Sequence, residues 1–219
     1  MNALNISATW NLFRLILQPN LCLPQAKIPT FAHLPVPLEN AFVDSNGQKR
    51  TDITIKAVIL DKDNCFATPH TNYVHKSYQK KFEQLKEAYP DGRLLIVSNT
   101  AGTTSCDPTG ILASELESAT GGVNVFRHTT KKPGCRAEIL NYFRFQRPEL
   151  GVTRADQIAV VGDRLMTDVL MANLIGSYAI WVQEGLVARE EISLFARLEQ
   201  KFASFLIHKN FKSPEPADR

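Results

Sequence analysis

At 219 residues, with 44% hydrophobic and 21% charged side chains, the chain can bury one sizeable core and has an ordinary globular composition. Its formal charge of +3 is too small to argue for a nucleic-acid partner. No apolar run approaches the roughly 20 residues that span a bilayer. Cys22, Cys65, Cys106 and Cys135 make no C-x-x-C pair and no zinc-ligand spacing, which points to a reducing compartment.

Asn5 to Gln18 reads as an amphipathic helix stopped by Pro19: Ile6, Trp10, Phe13 and Leu17 recur at helical spacing opposite a narrow polar stripe. No Asp or Glu occurs from Met1 to Leu38. Pro24, Pro29, Pro35 and Pro37 then punctuate an extended segment, and "DSNGQKR" (Asp44 to Arg50) is a turn. From Ile53 the texture changes. The runs "IKAVIL", "RLLIVS", "QIAVVG" and "SYAIWV" read as strands, with the shorter "VNVF" as a further candidate. Helical stretches lie near Tyr73 to Tyr89, Thr109 to Ser118, Gly134 to Phe145 and Met166 to Asn173, and Leu198 to His208 closes the domain. Apolar strands alternating with helices predict a three-layer α/β fold with a mainly parallel sheet, whose ligands bind beyond the carboxyl ends of the strands.

Those strand ends carry the chemistry. "LDKDN" delivers Asp61 and Asp63, "VSNTAGT" delivers Ser98 and Asn99, and "VGDRLMTD" delivers Asp163 with Asp168 five residues on. "HTTKKPG" places Lys131 and Lys132 ahead of a helix. Each alone has a bland reading, since an acid after a strand is often a helix cap and paired lysines are often solvated. Together they suit phosphoryl transfer. Crowded carboxylates call for a hard cation such as magnesium, which lets an aspartate nucleophile approach a phosphate. A second acid can protonate the leaving oxygen, and a hydroxyl with an ammonium can stabilise the phosphoryl oxygens.

In these four motifs, in this order from Ile53 to Val182, the chain resembles the haloacid dehalogenase (HAD) superfamily of phosphohydrolases. The resemblance implies a Rossmannoid three-layer sandwich, with no large cap because Phe66 to Gly92 holds little more than one helix. It implies Asp61 as nucleophile, Asp63 as general acid/base, and Ser98, Asn99 and Lys132 as phosphoryl-binding groups. Magnesium would lie between Asp61, Asp163 and the Asp63 carbonyl, with Asp168 and Lys131 as auxiliaries. Lys132 is preferred over Lys131 because it directly precedes a proline. Cys65 is expected to pack beneath the first loop.

More narrowly, "DKDNCFA", "SNTAGT", "KKPG" and "VGDRLMTDV" behind an apolar leader resemble the eukaryotic mitochondrial phosphatidylglycerophosphate phosphatases. That implies a phospholipid substrate on the way to cardiolipin, and a peripheral position on the matrix side of the mitochondrial inner membrane. The expected organisation is residues 1–50 as amphipathic helix and Pro-rich extension, 51–210 as the phosphatase domain and 211–219 as a disordered tail. The leader stays open to three readings: an interfacial helix on the membrane surface, a packing element on the domain or in a homo-oligomer, or a transit peptide. Arg127 to Arg147, with six Lys or Arg and one acid, reads as a patch that would attract anionic lipid, with Arg136 and Arg147 sharing a helix face. A soluble sugar-phosphate or nucleotide phosphatase, and a noncatalytic membrane scaffold, remain alternatives.

Overall fold

The computed structural model describes residues 17–187 and 194–217. Six strands form one all-parallel sheet: β1 (Ala26–Ile28), β2 (Ala57–Leu60), β3 (Leu94–Ile96), β4 (Asn124–Val125), β5 (Ile158–Gly162) and β6 (Tyr178–Val182), in the order β1-β6-β5-β2-β3-β4. Every residue of β2, β3, β5 and β6 is buried, as a sheet covered on both faces requires. Successive side chains alternate between two cores. Val58, Leu60, Ala159 and Val161 face the first, with Phe66, Phe82 and Leu85. Ala57, Ile59, Ile158 and Val160 face the second, with Ile139, Phe143, Leu170 and Leu206.

Helices α1 (Gln79–Ala88) and α2 (Ile111–Ala119) cover the first face. On the second lie α3 (Arg136–Asn141), α4 (Leu170–Ile175) and α5 (Leu194–His208). Between β2 and β3 the chain forms only a short turn, Lys76–Tyr78, and α1. The connection after β4 crosses back over β3 and β2 to β5, so the chain reverses direction across the sheet between β2 and β5. That switch point is where open α/β sheets leave a crevice.

The segment 1–50, read from sequence as an extension, is part of the domain where it is described. β1 pairs with β6, Ala26 opposite Ile180, and Phe31, Leu34, Leu38 and Phe42 are buried in the first core. A three-residue edge strand centred on an exposed lysine, Lys27, carries no readable period; the open edge of β6 decides it. The leader helix expected over Asn5 to Gln18 lies outside the described residues except for Leu17 and Gln18. The segment expected as a disordered tail from Phe211 has no helix or strand through Ala217, yet it is tethered. Gln25 Nε2 donates to the Pro214 carbonyl (2.7 Å), Arg50 pairs with Glu215 (3.1 Å) and the Ala217 N–H donates to the Gly176 carbonyl (3.1 Å). Among the described residues no helix is long and apolar enough to cross a membrane.

Asp107 secures α2. Its carboxylate accepts from the N–H groups of Gly102 (3.0 Å), Leu112 (3.1 Å) and Ala113 (2.9 Å), satisfying two otherwise unpaired donors of the first helical turn. Burial alone would raise its pKa, but these three donors hold it below the ordinary carboxylate value. Asp107→Ala is expected to cost about 1–2 kcal/mol in denaturant unfolding at neutral pH. A depressed carboxylate stabilises above its unfolded pKa of about 3.9 and loses that contribution as pH falls through the folded value. The gap to the wild type should therefore narrow below about pH 4; an unchanged gap would mean that the charge contributes nothing.

Candidate active site

Asp61 is the first residue after β2, and its N–H still donates to Val161 of β5 (2.9 Å). Asp163 directly follows β5, so the two carboxylates stand on either side of the switch point. Asp168 joins them from a wide π-type turn, Leu165–Val169, that leads into α4. Such turns recur at functional sites because they re-aim side chains that a regular helix would turn away. Oxygens of Asp61, Asp163 and Asp168 all lie within 4.8 Å of one another. A Cβ at Gly162 would come within 2.4 Å of the Asp168 carboxylate, so only glycine admits this approach.

Lys132 binds the cluster together. Its Nζ donates to Asp61 Oδ1 (2.5 Å) and Asp168 Oδ1 (2.6 Å), in near-complete burial. Burial would lower its pKa, but the two carboxylates overcome this and the ammonium stays charged. Lys131 is exposed. Of the two candidate lysines, then, Lys132 reaches the acids. The Asn99 side chain accepts from the Lys132 N–H through Oδ1 (2.7 Å) and so holds the lysine loop. His128 braces the same loop, its ring nitrogens lying 3.0 Å from the Ser98 carbonyl and 2.8 Å from that of Thr130.

Asp63 faces a different set of groups. Its Oδ1 accepts from buried Lys62 (2.7 Å) and the His70 N–H (3.1 Å), and its Oδ2 from Thr100 (2.7 Å) and Ser98 (3.2 Å). Burial pushes its pKa up, but the Lys62 ammonium and the surrounding donors more than offset this, leaving it below the usual value. Lys62, Thr100 and Asn64 were not singled out from sequence. Lys62 sits inside D-x-D at the variable position, and Thr100 follows the hydroxyl motif, so both were within reach. Asn64 had no signal: its Nδ2 donates to Asp163 Oδ2 (2.7 Å) while its Oδ1 accepts from the Val187 N–H, 123 residues away (2.9 Å). Cys65 is fully buried beneath this loop, as expected, and burial pushes its thiol pKa well up.

Two buried carboxylates, Asp61 and Asp168, and half-buried Asp163 around one ammonium leave a formal excess of two negative charges. Asp61 responds with a pKa raised well above normal, by burial first and then by Asp168. Asp163 is pushed up to about 7 by burial and by Asp168. Its Oδ1 is buried without a hydrogen-bond partner among the described residues. Hard oxygen donors, an unsatisfied carboxylate oxygen and a charge deficit of two fit a divalent cation such as magnesium. A carboxylate whose folded pKa is raised gives stability below its unfolded value that disappears as pH rises through the folded one. Stability in chelator should thus fall between about pH 4 and pH 7. Added magnesium should restore it, increasingly so at higher pH, and Asp163→Asn should flatten the profile. A profile in chelator identical for wild type and variant would contradict the assignment.

The expected basic patch does not gather here. Arg127 forms a two-pronged ion pair with Glu117. Arg147 pairs with Glu149 and donates to the Asp91 carbonyl (3.0 Å), and its guanidinium lies against Gly92 just before β3, at the starting end of the sheet. After Asn141 the helix widens into a π-type turn, Tyr142–Gln146, so eleven-residue spacing no longer keeps one face.

A family model described as mitochondrial PGP phosphatase matches residues 6–187. The mitochondrial phosphatidylglycerophosphatase GEP4 of Saccharomyces cerevisiae is 45% identical over 204 residues, 93% of this chain and 99% of the yeast protein. The probable mitochondrial phosphatidylglycerophosphatase of Schizosaccharomyces pombe is 33% identical over 183 residues, 84% of each chain. Among solved structures, an uncharacterized protein from Listeria monocytogenes serotype 4b matches with a TM-score of 0.41 at 16% identity, over 71% of this chain and 99% of that one, a likeness too loose to carry an argument. With four-fifths of its length inside the family match and a relative this similar end to end, the chain belongs to the mitochondrial PGP phosphatase family.

Proposed function

We propose that this chain removes the terminal phosphate of phosphatidylglycerophosphate, giving phosphatidylglycerol, by HAD-type chemistry. The observation that carries the reading is the largely buried cluster of Asp61, Asp163, Asp168 and Lys132 at the sheet's switch point, in a chain whose relatives bear that activity in their names. Those names also support a mitochondrial location; the matrix side of the inner membrane is where a peripheral enzyme of this reading would act.

In this mechanism Asp61 attacks the phosphorus through the oxygen that Lys132 leaves free, forming an aspartyl-phosphate as the bond to the glycerol oxygen breaks. Asp63 gives the departing oxygen its proton, the approaching phosphate having raised its pKa by like-charge repulsion. Asp63 then takes a proton from water, which attacks phosphorus and frees Asp61. Lys132 keeps the nucleophile oriented, and Ser98 and Thr100 position Asp63. Asp61 and Asp163, with Asp168 behind them, would hold magnesium, which when bound neutralises phosphate charge.

The test is phosphate release from phosphatidylglycerophosphate, sugar phosphates and nucleotides, each with magnesium and with chelator. Preference for the phospholipid, abolished by chelator, is expected; preference for a soluble ester would replace this reading with that of a soluble phosphatase. Asp63→Asn should lower turnover by roughly 100- to 10,000-fold while leaving the magnesium dependence of thermal stability in place. Near-normal turnover of an alkyl phosphate would remove Asp63 from its role.

A further inference from the structure

Helix α5 buries Glu199, Ala203 and Leu206 against the domain. Its outer face is not the usual polar one. Leu198 is 53% exposed and Phe205 54% exposed. Seven residues apart, they share one face, with half-buried Phe202 between them. Lys201 and Lys209 flank this stripe, the Lys209 ammonium 5.9 Å from the centre of the Phe205 ring, and Lys212 follows the helix. Among the described residues no carboxylate pairs with any of these three lysines.

The stripe begins at the rim of the catalytic cluster. Glu199, next to Leu198, receives a two-pronged contact from Arg164 (2.7 and 3.1 Å), and Arg164 directly follows Asp163. Gln200 lines a cleft of about 480 Å³ with Trp181, Gln183, Gly185 and Val187. Val187 holds Asn64, and Asn64 holds Asp163. Half-exposed Leu and Phe among unpaired lysines is the composition of a helix lying in a bilayer interface. The turn Pro19–Cys22 packs beside α5, and Leu17 just before it is 76% exposed.

We propose that this outer face of α5 docks the enzyme onto an anionic lipid bilayer, Leu198 and Phe205 entering the interface and Lys201, Lys209 and Lys212 meeting lipid phosphates. The inference rests on the phospholipid reading of the substrate, whose acyl chains stay in the bilayer while its headgroup reaches the acids. Charge complementarity selects the occupant: exposed lysines with no acidic partner among the described residues match an anionic lipid surface.

The experiment is flotation of the full chain with vesicles of phosphatidylcholine, with and without phosphatidylglycerol. The wild type should float with the anionic vesicles. Leu198→Ser combined with Phe205→Ser should weaken binding by about tenfold or more. Lys201→Gln with Lys209→Gln should weaken binding to anionic vesicles by about fivefold per lysine and narrow the difference between the two lipids. Melting temperature and turnover of p-nitrophenyl phosphate should stay at wild-type values in both variants. A wild type that does not float, or variants that float equally well, overturns the proposal. So does an apolar variant whose oligomeric state changes in gel filtration while its flotation does not, which makes the face a protein interface. Hydrolysis of detergent-dispersed phosphatidylglycerophosphate, measured alongside, judges the substrate reading separately: its absence in the wild type sinks that reading, while flotation alone decides the role of the face.

Discussion

Asp61→Asn should lower turnover by at least about 10⁴-fold, as removal of an enzyme nucleophile does, with the fold intact. The expected stability is less obvious and more informative. A charge removed from a buried ion pair ordinarily destabilises. Here Asp61 is one of three acids sharing one ammonium, and burial together with Asp168 already disfavours its charged form. Lys132 keeps Asp168 as partner in the variant. The metal-free variant should therefore melt at or above the wild-type temperature, and magnesium should raise it less. Phosphate release from a soluble ester, with melting curves in chelator and in magnesium, checks both halves. A folded variant retaining substantial turnover would remove Asp61 as nucleophile.

Lys132→Met should do the opposite to stability. It leaves Asp61 and Asp168 buried without a cation, a change that costs about 3–5 kcal/mol, or a fall of about 6–20 °C in melting temperature for a chain of this size. Magnesium should recover more stability in this variant than in the wild type, because the missing positive charge is what the cation supplies. Turnover should still fall by about 10²–10³-fold, since no ammonium orients the nucleophile or meets the phosphoryl oxygens. Lys131→Met, altering an exposed neighbour, is the control expected to change neither. Equal stability of Lys132→Met and the wild type in chelator would show that the carboxylates are neutral and need no partner.

The sequence by itself determined the fold class and the position of the site. Strands buried on both faces must be apolar throughout, so "AVIL", "LLI" and "IAVVG" are legible as a parallel sheet, and the first polar residues after them mark its carboxyl ends. Asp61, Ser98 and Asp163 occupy those first polar positions, and Asp63 lies two residues beyond Asp61. Tertiary structure decided what depends on partners distant in the chain. Lys132 rather than Lys131 reaches Asp61 and Asp168, 71 and 36 residues away, because Asn99 fixes the loop that carries it. Asn64 matters through Val187 and Asp163, neither of which a local pattern can announce. Asp168 enters the cluster only because a widened turn and a glycine at 162 make room for it. β1 exists because β6 offers an unpaired edge, and α5 keeps Leu198 and Phe205 at the surface because its core-facing side is filled by Ala203 and Leu206. Local periodicity reports how a segment partitions between water and core; which groups then meet is set by long-range closure of the chain, whose pairings leave no periodic trace.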